Sequence, residues 1–358
     1  MRLFECQCCA QALFFENEKC EKCGRRLGYM ARENRLIALE PAANAWREAG
    51  VESPFYSFCA NAEHGVCNWL VAATRDHEVA FCEACRHNHM IPDLSRPTNL
   101  ERWRAVEFAK HRLIYTLMRL DLQRPARGEA EEGLQFDFLD EDMTPKVMTG
   151  HADGLITINL AEAGDDIREK RRGEMGEAYR TLLGHLRHEI GHYYWDLLVR
   201  DQPALEGYRN LFGDERADYA AALQAHYTDG APPDWVEHFV SAYASAHPWE
   251  DFAETFAHYL HIVDTLETAK AFGLTVHPHI AVGDELSADV SFDPYGAASI
   301  RTLIDAWLPL CFAVNSLNRS MGQPDLYPFV LSPAAIDKLD FVRRLLHPSG
   351  GNGGTIFV

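Results

Sequence analysis

The chain has 358 residues, enough for two or three domains and a sizeable core. Apolar residues make up 47% and charged residues 24%, the balance of an ordinary globular protein and not of a disordered or fibrous one. A formal net charge of -19 argues against non-specific binding to nucleic acid or to an anionic membrane surface, because both are polyanions.

In chain order, the opening MRLFECQCCAQALFF is broken early by cysteines, so it does not read as a secretory leader. The cytoplasm, where thiols stay reduced, is the expected location. Nine of the ten cysteines precede residue 86, which marks off an N-terminal module at 1–95. Cys6, Cys9, Cys20 and Cys23 read C-x2-C-x10-C-x2-C. Each C-x-x-C turns two thiolates inward from one tight loop, and two such loops make a tetrahedral zinc site. Gly24 follows the second pair, where a knuckle uses glycine's freedom at positive φ. Cys8 is left over. Cys59, Cys67, Cys82 and Cys85 form a second set, with knuckle spacing only in its second half; His64, His77, His87 and His89 lie close by. Residues 1–90 hold 10 Lys/Arg and 12 Asp/Glu, so no basic stripe favours nucleic acid. Two structural zinc ions and a protein-contact role fit this module better.

A linker is expected at 91–97, then an amphipathic helix over 98–123 with Trp103, Val106, Ala109, Leu113, Leu117 and Leu120 inward. VMTGHADGLITINL (147–160) predicts a hairpin. Further helices are expected at about 178–200, 203–212, 214–228, 234–246, 249–266, 300–318 and 332–346. Apolar runs such as LIDAWLPLCFAV (303–314) are too short to span a bilayer. The main domain covers 96–348, and 349–358 is a flexible Gly-rich tail.

Within 178–200, Leu183, Leu186, Ile190 and Leu197 define a buried stripe. His188, Glu189 and His192 spell H-E-x-x-H. Histidines one turn apart reach a single ion, and Glu189, rotated about 100° from His188, stays free to handle a water. A third ligand must come from a later carboxylate. Two i, i+4 pairs qualify: Asp214/Asp218 and Glu250/Glu254, starting 22 and 58 residues after His192. In either pair the first residue would ligate and the second would hydrogen-bond a ligand histidine. Pro248 opens the helix bearing Glu250, whose apolar side is Phe252, Phe256, Tyr259 and Leu260, with Glu250, Glu254 and His258 as a polar stripe. His185, one turn before His188, has no assigned role.

FECQCCAQALFFENEKCEKCGRRLGY, HLRHEIGHYYWDLL and HPWEDFAETFAHYLH together resemble a family of bacterial zinc-binding metallopeptidases with an N-terminal zinc-ribbon domain. PWEDFAETF is also similar to a segment of gluzincins of the anthrax lethal factor and Mlc titration factor types, which place a Tyr seven residues before the ligand Glu. The resemblance implies His188, His192 and Glu250 as ligands of a catalytic zinc, Glu189 as general base and Tyr243 as oxyanion donor. Glu254 then orients a ligand histidine. It implies an α+β fold, a mostly helical zincin-like domain behind a small double zinc ribbon, and a peptide or protein substrate. The classes weighed beside it are a non-catalytic zinc adaptor that binds a partner protein and a ribbon-recruited protease acting on nucleic-acid-associated proteins.

Overall fold

A computed structural model describes residues 1–73, 80–130, 132–140, 149–164, 181–279 and 286–347, divided into two units, Met1–Arg171 and Arg172–Val358. The fold is mixed α/β. His77, the start of the helix expected at 178 and the tail 349–358 lie outside the described residues.

In the first unit, β1 (Phe4–Glu5) and β2 (Ala12–Leu13) pair across the first Cys-x-x-Cys turn. Gly24 closes the second turn at φ 73°, in the left-handed region that favours glycine. Five antiparallel strands follow in sheet order: β3 (Leu27–Met30), β4 (Arg35–Ala42), β5 (Ala45–Glu48), β6 (Tyr56–Phe58) and β7 (Leu70–Ala72). Met30, Ile37, Leu39 and Leu70 form the buried cluster of this sheet.

β8 (Asn88–Met90) joins a different sheet. It pairs parallel with β9 (Gln135–Leu139), which pairs parallel with β11 (Leu155–Asn159), and β10 (Gly150–Ala152) closes an antiparallel hairpin onto β11. The hairpin turns at Asp153 and Gly154, both at positive φ, as an Asp-Gly turn requires. α1 (Pro97–Arg119) buries the expected Trp103, Val106, Ala109, Leu113 and Leu117, and Leu120 follows its last turn. It also buries Glu107, Lys110 and His111, which period alone did not mark. Lys110 Nζ pairs with Glu107 Oε2 at 2.9 Å and lies 5.7 and 5.4 Å from the Phe136 and Phe138 ring centres. The spatial unit therefore continues through residues 135–159.

Helices dominate the second unit: α2 (Leu182–Leu198), α3 (Leu205–Phe212), α4 (Tyr219–Asp229), α5 (Pro248–Ala271), α6 (Ile300–Ser320) and α7 (Pro333–Leu346). One two-stranded sheet, β12 (Thr275–Val276) with β13 (Ala288–Asp289), completes it among the described residues. α2 is buried more widely than one stripe. Leu186 and Ile190 are inside with the whole run Arg187 to Trp195, whereas Leu183 and Leu197 are half-buried.

Two helix expectations need correcting. The helix expected from 214 starts at Tyr219, because Asp214 bonds the backbone of Arg216 in a turn and Asp218 caps the helix through Ala221 N. The helix expected over 234–246 is one turn at Trp235–His238 and a 3-10 turn at Tyr243–Ala246. Between them Ser241 Oγ accepts from Ala244 N, replacing a helical bond with a side-chain turn. A third correction concerns 303–314. The helix α6 that contains it has 21 residues, long and apolar enough by composition to cross a membrane, yet Leu303, Ile304, Trp307 and Leu310 are buried within the unit.

Candidate active site

α2 and α5 pack closely because Gly191 faces Ala253. A Cβ on Gly191 would lie 2.9 Å from Ala253 Cα and 3.1 Å from its carbonyl oxygen. This approach brings the histidines of one helix to the carboxylates of the other. His188 Nε2 is 3.1 Å from His192 Nε2 and 3.0 Å from Glu250 Oε2, and His192 Nε2 is 3.5 Å from the same oxygen. All three side chains are buried.

The protonation pattern follows from the partners. His188 Nδ1 bonds Glu254 Oε1 at 2.7 Å, and Glu254 Oε2 accepts from Ser241 Oγ at 2.6 Å. With Nδ1 committed to Glu254, His188 turns Nε2 toward Glu250, where either a ring proton or a metal ion can lie between the two atoms. Glu250 Oε2 is buried and accepts no hydrogen bond there. Lone pairs facing one another repel unless a cation sits between them. Tetrahedral zinc with bonds of 2.0–2.1 Å separates its ligand atoms by roughly 3.3–3.4 Å, close to the spacing found. The donor set therefore fits zinc. Burial pushes the Glu254 carboxyl up, but the bond and charge of His188 outweigh it and bring it to about 2. Burial opposes ionisation of Glu250 too, and the facing imidazoles hold it well below the carboxylate range.

Glu189 is buried beside this trio, with His185 Nε2 3.4 Å from its Oε1. Burial raises its carboxyl, and His185 together with His188 brings it below the ordinary value. Tyr243 sits in the 3-10 turn ahead of α5, its ring centre 5.9 Å from that of His188. Asp214 is elsewhere: its exposed carboxylate pairs with Arg216 at 2.7 Å. Asp218 is spent as a helix cap. His258, expected on the stripe with Glu250 and Glu254, is buried against the Tyr327 hydroxyl at 2.5 Å.

Four residues at the site carried no signal in the spacing. Ser241 supports Glu254. Trp249 lies over His192 with ring centres 3.7 Å apart. His247 caps α5 by accepting from Trp249 N at 3.1 Å. Tyr219 donates its hydroxyl to Glu250 Oε1 at 2.6 Å.

In the first unit, Cys6, Cys9, Cys20 and Cys23 converge, as do Cys59, Cys67, Cys82 and Cys85. Cys6–Cys23 and Cys67–Cys82 sulfurs are 3.8 Å apart and Cys9–Cys20 3.5 Å. Zinc–sulfur bonds near 2.3 Å require about 3.8 Å. Cys8 is exposed and outside both groups. None of the nearby histidines replaces a cysteine among the described residues: His87 bonds Leu134 O at 3.1 Å, His89 pairs with Asp137 at 2.8 Å, and His64 lies on Trp103. The histidine that does reach a thiolate is His111 of α1, with Nε2 3.7 Å from Cys85 Sγ.

Comparison with known proteins gives two family matches. Residues 99–345 match a family described as "Putative zinc-binding metallo-peptidase", and residues 3–96 match one described as "zinc-ribbon domain". Uncharacterized proteins of Mycobacterium bovis and of two Mycobacterium tuberculosis strains are 41% identical over 350 residues, 97% of this chain and 95% of theirs. No solved structure matches.

Proposed function

The chain belongs to this family of zinc-binding metallopeptidases, and from that premise we propose that it is a gluzincin-type peptidase, with His188, His192 and Glu250 holding the catalytic zinc. One observation carries the reading: three buried donor atoms from two helices meet within 3.0–3.5 Å, with Glu189 beside them. When bound, zinc supplies Lewis acidity that lowers the pKa of a water and polarises a peptide carbonyl.

The residues do the rest. Glu189 follows His188 by one position and is not a ligand, so its carboxylate takes the proton of the attacking water and hands it to the leaving amine. His185 holds one oxygen of that carboxylate. Tyr243 donates to the developing oxyanion, a contribution of about 2–4 kcal/mol. Ser241 and Glu254 fix the ring of His188. We read the second unit as zincin-like, with α2 and α5 as the two metal-bearing helices. The two four-cysteine groups hold structural zinc, and segment 1–95 offers a protein-binding surface whose charge does not suit nucleic acid. Peptides or proteins of the cytoplasm are the substrates.

Glu189→Gln is the test. Hydrolysis of a fluorogenic peptide library should fall to background while three zinc ions per chain and the melting temperature stay as in the parent protein. Undiminished hydrolysis would remove Glu189 as the base. Two zinc ions per chain in the parent protein would remove one of the three sites. A pure adaptor would show no hydrolysis in either form.

A further inference from the structure

We propose that Tyr219 is a positioning residue for Glu250, and that its hydroxyl couples the metal centre to α4. The inference rests on Glu250 being a ligand, as proposed above. Tyr219 is the first residue of α4, directly after the capping Asp218. Its hydroxyl donates to Glu250 Oε1, while Oε2 is the atom that faces His188 and His192. The two oxygens of one carboxylate thus have separate partners. A glutamate carboxylate turns freely about its last torsion. Holding Oε1 selects ligation through Oε2 alone. An ion held here would then take three protein donors, which would leave it room for a water.

The phenol is built in place. Its ring meets His247 and Trp249 edge to face, at 5.2 Å and 84° and at 5.7 Å and 78°. His247 caps α5 with Nδ1 and with Nε2 donates to the carbonyl of Ala217, two residues before Tyr219, at 3.1 Å. The same histidine therefore sets the start of the helix bearing Glu250 and the chain leading into α4.

Beyond this end α4 lies near the surface. None of its residues is buried, and its other ring contact to the site is His226 against Tyr243, with centres 5.8 Å apart. Only Ala222, Leu223 and His226 are half-buried, and a helix with so little burial belongs to the less stable part of a fold. The Tyr219–Glu250 bond is then a thermodynamic link. If α4 docking strengthens metal binding through Glu250, metal binding strengthens α4 docking by the same factor.

The experiment compares the full chain with Tyr219→Phe and Glu250→Gln, using zinc as the ligand and a competing chelator weak enough to leave the thiolate sites loaded. For Tyr219→Phe, zinc affinity at the His/Glu site should fall 10- to 100-fold, the usual effect of losing a partner of a ligand. In the parent protein, adding zinc back to this site should slow amide exchange across 219–229, and in Tyr219→Phe it should not. Unchanged melting and intact thiolate zinc show that the variant is folded. If Glu250→Gln binds zinc as tightly as the parent, the ligand assignment fails and the inference with it. If Glu250→Gln loses the ion while Tyr219→Phe matches the parent in both affinity and exchange, the inference alone is overturned.

Discussion

Cys59, Cys67, Cys82 and Cys85 present four buried thiols to one point, whereas His188, His192 and Glu250 present three donors with the buried carboxylate of Glu189 beside them. The thiol group is fastened into its unit. Backbone amides of Trp69, Cys82 and Cys85 each donate to a sulfur at 3.4 Å, and His111 approaches Cys85. Hydrogen bonds from the neighbouring thiols, with the charge of the fully buried Lys110 added, hold the Cys85 thiol well below its ordinary value. The donors of the second unit instead sit on two long helices, each with buried apolar residues of its own. One donor set is fastened by amides and a histidine close around it, and the other by the packing of the two helices that carry it.

Breaking the contrast is simplest where the expected effect is largest. Cys82→Ser opens a fully buried four-thiol site. Structural zinc supplies on the order of 10–16 kcal/mol of folding free energy in small domains, so the first unit should lose its zinc and unfold. Zinc content and limited proteolysis would show this, with the second unit intact. A protein that still melts as one cooperative unit at the parent temperature would contradict it.

Gly191→Ala tests the other side. The added methyl meets backbone, so α2 and α5 must separate. We expect a loss of about 1–3 kcal/mol, together with weaker zinc binding at the His/Glu site and full retention at the thiol sites. Wild-type affinity for the third zinc would mean that helix spacing does not set the donor geometry.

An effect of comparable size is electrostatic. Burial holds His258 down to about 4 from 6.5, only partly offset by the charge of Glu254. Its neighbours are the Tyr327 hydroxyl and the rings of His261 and Phe329. The unfolded chain takes up this proton first. The second unit therefore has its full stability above pH 6.5 and loses it as pH falls toward 4, by about 3 kcal/mol in total at 1.36 kcal/mol per unit. Chemical denaturation of His258→Phe across that range should give a flatter curve. An unchanged slope would exclude this histidine as the source.

What the sequence made visible was local. Two thiols on one tight turn, or two histidines one helical turn apart, are encoded within a few residues, and the structure brings each of these sets together. Glu250 lies far along the chain, and spacing by itself left Asp214 eligible; the polar stripe on an apolar helix favoured Glu250, and the family resemblance favoured it further. Tyr219, Ser241, His247 and Trp249 act through tertiary contacts that no period records. The same holds for Glu107, Lys110 and His111. They sit among the apolar positions of α1, where a helix pattern gives no reason to expect charge. The corrected elements failed for a related reason: Asp214, Asp218 and Ser241 spend their side chains on backbone amides, and a periodicity count does not see that competition.

The parallel pairing of β8 with β9 has a consequence for synthesis. A chain emerges from the ribosome N-terminus first and folds as it becomes available. The first cysteine group is complete once Cys23 is out, and the second once Cys85 is. The sheet that β8 joins needs Gln135–Leu139 and then Leu155–Asn159. Closing those long loops has an entropic cost that local knuckles avoid. Both cysteine groups have therefore left the ribosome before either strand that completes the second sheet, so metal capture can precede sheet closure.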